Sequence, residues 1–203
     1  MPISDSRETI LSEASQLFAS KGYSSVSMRH VAEHVGMTPA NLYYHFKNKE
    51  DLIRESLAFV FTGKTQPLED IIRDQTDPER RFALFVSWFS QLLFEDDIFA
   101  KLVCRELLDG DDRRMEFLAK NVLQRPFNIL VDIIDDFLET KDSVLSAISV
   151  VGMILGHYQL ATVLQHLHGD RPEYGHPDWI TAHVLDEFRS RATARSDRSD
   201  AHD

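Results

Sequence analysis

The chain has 203 residues, 43% of them hydrophobic, and 22 Lys/Arg against 33 Asp/Glu give a formal net charge of −11. That length holds one medium domain, or a small module joined to a larger one, with enough core to need no disulfide or metal staple. Cys104 is the single cysteine, which excludes an internal disulfide and fits a reducing compartment; with no export signal at the N-terminus, a cytoplasmic protein is expected.

Hydrophobic spacing predicts helix along the whole chain, with no alternating strand and no hairpin signal. The first helix runs from Ser4 to Lys21 and places Ile10, Ala14, Leu17 and Phe18 on one face, with Gly22 suited to the position just beyond. Ser27 caps a second helix, whose Met28, Val31, Ala32 and Val35 gather on one side before Gly36 breaks it. Thr38 caps a short third helix, with Pro39 at its first position, where a missing N–H costs nothing, and an end near His45. A fourth starts at Asn48 and carries Glu50 and Asp51 in its first turn.

Asp77-Pro78 opens the next helix, along which Phe82, Phe85, Trp88, Phe89 and Leu92 recur. Helices follow from Asp97 to Leu108 and across "RRMEFLAKNVLQRPFNILVDIIDDFLE", with a bend expected near Pro126. From Ser143 to Gln165 there is no Asp, Glu, Lys or Arg. That run approaches the length of a spanning helix. Its serines, His157, Gln159 and Thr162, and the lack of a positive flank, favour instead a helix buried between protein surfaces. A last helix starts near Pro177 with Trp179, Ile180, Val184, Leu185 and Phe188 near helical spacing, and the polar segment 191–203 is expected to be disordered.

Charge is uneven: the first 55 residues carry a net −1 and the rest −10. An acidic chain is a poor diffuse binder of nucleic acid, so contact with DNA must come from a local patch. Two short helices about Gly36 and Met37 match a helix-turn-helix. Met28, Val31, Ala32, Val35, Leu42 and Phe46 would pack inward, leaving Pro39, Ala40 and Asn41 in the first turn that meets base edges. Asn pairs bidentately with adenine, and Ala or Pro meets a thymine methyl. Ser27, Thr38, Tyr44, His45 and Lys49 suit phosphates, which position a reader without specifying sequence. Tyr43 has two readings, phosphate contact or core packing. His45 could also be merely exposed, and Arg29 suits a base, a phosphate or an ion pair with Glu33 four residues on.

The stretch "SVSMRHVAEHVGMTPANLYYHFKNKEDL" resembles the DNA-binding segment of TetR-family transcriptional regulators. That pattern joins a Thr/Ser-x-Arg helix start, a Gly turn and an "LY-x-HF-x-x-K" ending, filled here by Ser27, Arg29, Gly36, Leu42, Tyr43, His45, Phe46 and Lys49. The resemblance covers residues 7 to 55. It implies an all-α fold, with a three-helix DNA-binding domain at residues 1–50 and a helical ligand-binding and dimerisation domain at 51–190. It further implies a repressor that leaves its operator when a small molecule binds.

The uncharged helix exceeds what one domain's core needs, so part of it is expected to face a symmetry mate, paired with the last helix in a four-helix bundle. A homodimer would read both half-sites of a palindrome on double-stranded DNA. Phe85, Trp88, Phe89, His157 and Tyr158 are the candidates for an effector pocket, with plain core as the alternative for each, and a lipophilic or aromatic effector is expected. His166 and His168, separated by one residue, share no helix face, and no phosphate loop, HExxH or nucleophile elbow is present. No metal, cofactor, catalytic group or membrane contact is therefore expected. Two other readings stay open: an all-helical binding or enzymatic domain without sequence-specific DNA binding, and a DNA-binding regulator gated by a protein partner.

Overall fold

Short polar side chains set the helix boundaries from the N-terminus onward. In the computed structural model, which describes residues 3–109, 111–138, 140–167 and 172–199, the fold is all-α with no strand among the described residues. Helix α1 spans Ile3–Lys21, α2 Met28–Val35, α3 Pro39–His45 and α4 Lys49–Thr65. A short α5 (Leu68–Ile72), which the sequence did not announce, precedes α6 (Pro78–Glu95) and α7 (Asp97–Asp109). Helix α8 (Asp112–Leu118) passes through a π-helical turn at Ala119–Leu123 into α9 (Gln124–Leu138). Helix α10 (Ser143–Leu167), a 3-10 turn at Pro172–Gly175 and α11 (Pro177–Ser199) complete the order.

Just before Pro126, where a bend is expected, the structure has that π-helical turn. Proline has no N–H to give the carbonyl four residues back, Val122, and its ring crowds it. The wider turn ending at Leu123 relieves the ladder just before the proline. At the other end of the chain, α11 continues to Ser199, through most of the segment expected to be disordered. Arg191, Ala192, Ala194 and Arg195 are good helix formers and extend a helix already nucleated by packed residues. Residues 200–203 lie outside the described residues, as does His168.

The chain divides into two compact units. The first holds the chain up to Gln66 together with Asp97–Gln124, so α7 and α8 belong with the N-terminal helices. In it α1 packs on α4, α7 and α2. Ile10, Ala14, Phe18, Val31, Ala32, Leu42, Phe46, Leu52, Leu57 and Leu102 are all at most 1% exposed, each large one contributing about 1.5–3 kcal/mol of burial. Val35 alone among the inward residues of α2 is only half-buried.

The second unit holds Pro67–Asp96 and the chain from Arg125. Here α11 lies chiefly along α6, with a smaller contact to α10. Phe82 sits between the rings of Phe137 at 5.2 Å and Phe188 at 5.5 Å. Helix α10 is covered by its own chain on one side only. Within the chain it buries only a stripe, Ala147, Val150, Ile154 and Ala161, while Val144, Leu145, Ile148, Leu160, Val163 and Leu167 are 47–68% exposed. A sequence apolar all round cannot say which side its own chain covers, and here α6, α11 and the 3-10 turn cover one side.

Candidate nucleic-acid interface

Three caps build the interface. The Ser27 hydroxyl accepts from the His30 N–H at 3.2 Å, and His30 Nδ1 accepts from the Ser27 N–H at 3.4 Å, closing a reciprocal box that fixes the start of α2. Gly36 then takes a left-handed conformation (φ +75°), and the Gly36 and Met37 N–H groups return to Glu33 and Ala32 at 3.2 and 2.9 Å. Thr38 Oγ1 accepts from the Asn41 N–H at 3.3 Å and starts α3 with Pro39 in its first turn. Asn48 Oδ1 accepts from the Asp51 N–H at 2.8 Å and starts α4. The helix-turn-helix is therefore set by contacts at most a few residues apart.

Packing then decides what faces out. Leu42 and Phe46 are fully buried, and the Arg7 guanidinium covers the Phe46 ring at 4.7 Å while pairing with Glu55 at 2.5 Å. With that side anchored, Ser27, Arg29, Thr38, Pro39, Ala40 and Asn41 are exposed. Tyr44 is 81% and Tyr43 54% exposed; an interior role for Tyr43 is thus set aside. His45 and Lys49 are half-buried, with the His45 ring edge-on to Tyr44 at 5.5 Å. Arg29 Nε lies 2.8 Å from Glu33 Oε1, the ion pair that its spacing allowed. The hydrogen bond to Glu33, then its charge, raises the Arg29 pKa.

Between Glu33 and Glu50 the sequence "HVGMTPANLYYHFKNK" contains no carboxylate and two lysines, Lys47 and Lys49. The carboxylates that border this stretch are Glu33 (paired with Arg29), Glu13 (2.9 Å from His34) and the exposed Glu50.

The effector candidates all belong to the second unit. Phe85, Trp88 and Phe89 form one aromatic cluster, with centroids 5.5–6.3 Å apart. Tyr158 lies edge-on to Phe94 at 5.2 Å, and His157 edge-on to His183 at 5.2 Å. Phe85 is buried and the other four are half-buried. A polar cleft of about 660 Å³ lies instead in the first unit, bordered by Tyr23, Ser24, Asp109, Asp111, Asp112, Arg113 and Arg114, none of them an effector candidate. The sequence reading missed the charged residues beside it; Arg105 and Arg114 sit on helices whose pairing with α4 no local pattern announces.

Comparison with known proteins agrees with this geometry. Residues 10–56 match the family model described as bacterial regulatory proteins, tetR family. The chain is 29% identical over 87 residues to the HTH-type transcriptional repressor KstR2 of Mycolicibacterium smegmatis, covering 42% of each chain. It spans about half the length of the curated relatives it matches, from 42% to 50% of the first three. Among solved structures, the transcriptional regulator FadR from Bacillus subtilis in complex with stearoyl-CoA has a TM-score of 0.74 at 21% identity, covering 90% of this chain and 97% of that one. AibR in complex with isovaleryl coenzyme A and operator DNA has a TM-score of 0.66 at 20% identity, covering 90% and 97%. At those identities the two structures establish a shared fold.

Proposed function

Because the chain belongs to the tetR family of bacterial regulatory proteins, we propose that it is a cytoplasmic, dimeric transcriptional repressor. It binds a palindromic operator through α2 and α3, and leaves it when a lipophilic or aromatic small molecule occupies the second unit. The observation that carries this reading is the exposed first turn of α3, Thr38 to Asn41, held out by its cap within a stretch, 34–49, that contains no carboxylate. In this arrangement Asn41 reads a base edge, Pro39 and Ala40 meet thymine methyls, and Ser27, Arg29, Thr38, Tyr43, Tyr44, His45 and Lys49 hold phosphates.

The dimer is supported by α10. Its exposed row of Val144, Leu145, Ile148, Leu160 and Val163 is too apolar to face water over such a length, and Trp179 at 58% exposure extends it onto α11. A second copy related by a two-fold axis would cover that face with the same residues. The effector class is supported by the Phe85, Trp88 and Phe89 cluster and by the acyl-CoA ligands of two structural neighbours. Binding-site selection from random duplex DNA tests the reading. Recovery of one palindrome is expected; a folded chain that recovers no preferred sequence contradicts it.

A further inference from the structure

Within the first unit, the turn between α1 and α2 and the first turn of α4 are held by arginines from α7 and α8. Arg114 is 8% exposed, and its Nε lies 3.2–3.3 Å from both oxygens of Glu106, itself 2% exposed. The Nη1 of the same guanidinium lies 3.6 Å from Asp111 and 3.5 Å from both oxygens of Glu50, in the first turn of α4. Its flat face covers the Tyr23 ring at 5.0 Å, and Arg105 covers that ring at 5.9 Å. Burial, and then the neighbouring Glu106, push the Tyr23 phenol far above its ordinary pKa, so Tyr23 stays neutral among these charges. A second contact repeats the first one turn further along: Arg54 of α4 pairs with Asp51 and lies over Phe117 of α8 at 5.2 Å.

Glu50 is immediately next to Lys49, and only Phe46, Lys47 and Asn48 separate α3 from α4. That link is tied at both ends, with Phe46 fully buried and Asn48 capping α4. We infer that Arg114 is a positioning residue for DNA binding: by joining the buried Glu106 to Glu50, it fixes where α4 begins and hence where Lys49 and α3 stand. The segment that carries it, Asp97–Gln124, is inserted between two stretches of the other unit.

This inference rests on the DNA-binding reading, and its test separates the two. Glu50 has a side chain 55% exposed, and Glu50→Gln leaves the buried Arg114 still paired with Glu106 and Asp111. As a bystander near phosphates, Glu50 repels DNA, and its neutralisation would tighten binding. As the anchor of Arg114, its neutralisation weakens operator binding, by roughly tenfold for an indirect coupling of this kind. Operator affinity would be measured by fluorescence anisotropy on a selected duplex, alongside thermal unfolding, for wild type, Glu50→Gln, Arg114→Met and Arg114→Lys. Weaker binding of Glu50→Gln with an unchanged melting temperature, and recovery of part of the Arg114→Met loss by Arg114→Lys, are expected. If Arg114→Met does not fold, Glu50→Gln decides alone. Wild-type binding with Glu50→Gln equal or tighter overturns the positioning role and leaves the DNA-binding reading intact. A wild type that selects no duplex overturns both.

Discussion

Asn41 is exposed and Lys49 half-buried, and in the proposed complex their chemistry would divide their roles. A carboxamide both gives and accepts hydrogen bonds and so distinguishes bases, whereas an ammonium attracts any phosphate. Asn41→Ala should cost about 1–3 kcal/mol at one base position and relax preference there. Lys49→Ala should weaken binding to every duplex alike and lower the salt slope by about 1. Affinities against a set of duplexes with single base changes test both; a base-selective loss for Lys49→Ala would remove it from the phosphate group. The two turn glycines differ in the same residue-level way. Gly36 (φ +75°) has open space where a Cβ would go, so Gly36→Ala carries only the left-handed strain of about 1–2 kcal/mol. At Gly22 (φ +79°) the Cβ would also come within 2.7 Å of Arg105 Nη1. Gly22→Ala should therefore lower the melting temperature more than Gly36→Ala, and the reverse order would mean that Arg105 yields freely.

At the scale of single elements, α2, α3 and α4 were legible because every cap has its partner within three residues: Ser27 with His30, Thr38 with Asn41, Asn48 with Asp51. The Arg114–Glu50 contact spans 64 residues, and no spacing rule reaches that far. Helix α10 was legible as a helix but not as to its faces, since a run apolar on all sides carries no moment to orient it. Likewise the aromatic residues of α6 could be expected to cluster, whereas the pairing of His157 with His183 across two helices could not. That pairing has a consequence for pH. Burial, and then His183, lower the His157 pKa below the ordinary imidazole value of 6.5. The unfolded chain therefore takes up a proton there first as pH falls, so the folded state is favoured above the ordinary value and loses stability below it. Thermal unfolding should show a drop in melting temperature from about pH 7 to about pH 5 that is smaller in His157→Gln. An identical drop in both proteins would assign the pH dependence elsewhere.

Across the whole molecule, a nearly neutral N-terminal stretch, net −1 over the first 55 residues, is joined to a remainder that carries −10. Under the proposed function the acidic part would oppose indiscriminate binding to nucleic acid, and its exposed apolar helix would pair the recognition helices of two copies. Placing a carboxylate in the middle of that helix, Ile148→Glu, should yield a folded monomer in sedimentation equilibrium, because two copies of the charge would meet near a two-fold axis in an apolar interface. A dimer unchanged in affinity would show that α10 is covered by something else. The central claim, that two copies read one palindrome, is tested most directly by comparing affinity for a selected duplex with affinity for the same duplex after one half-site is scrambled. The comparison is made at two salt concentrations. The account predicts that scrambling removes most of the affinity and that binding to the intact duplex falls steeply with salt, as counterion release requires; equal affinity for both duplexes would contradict it.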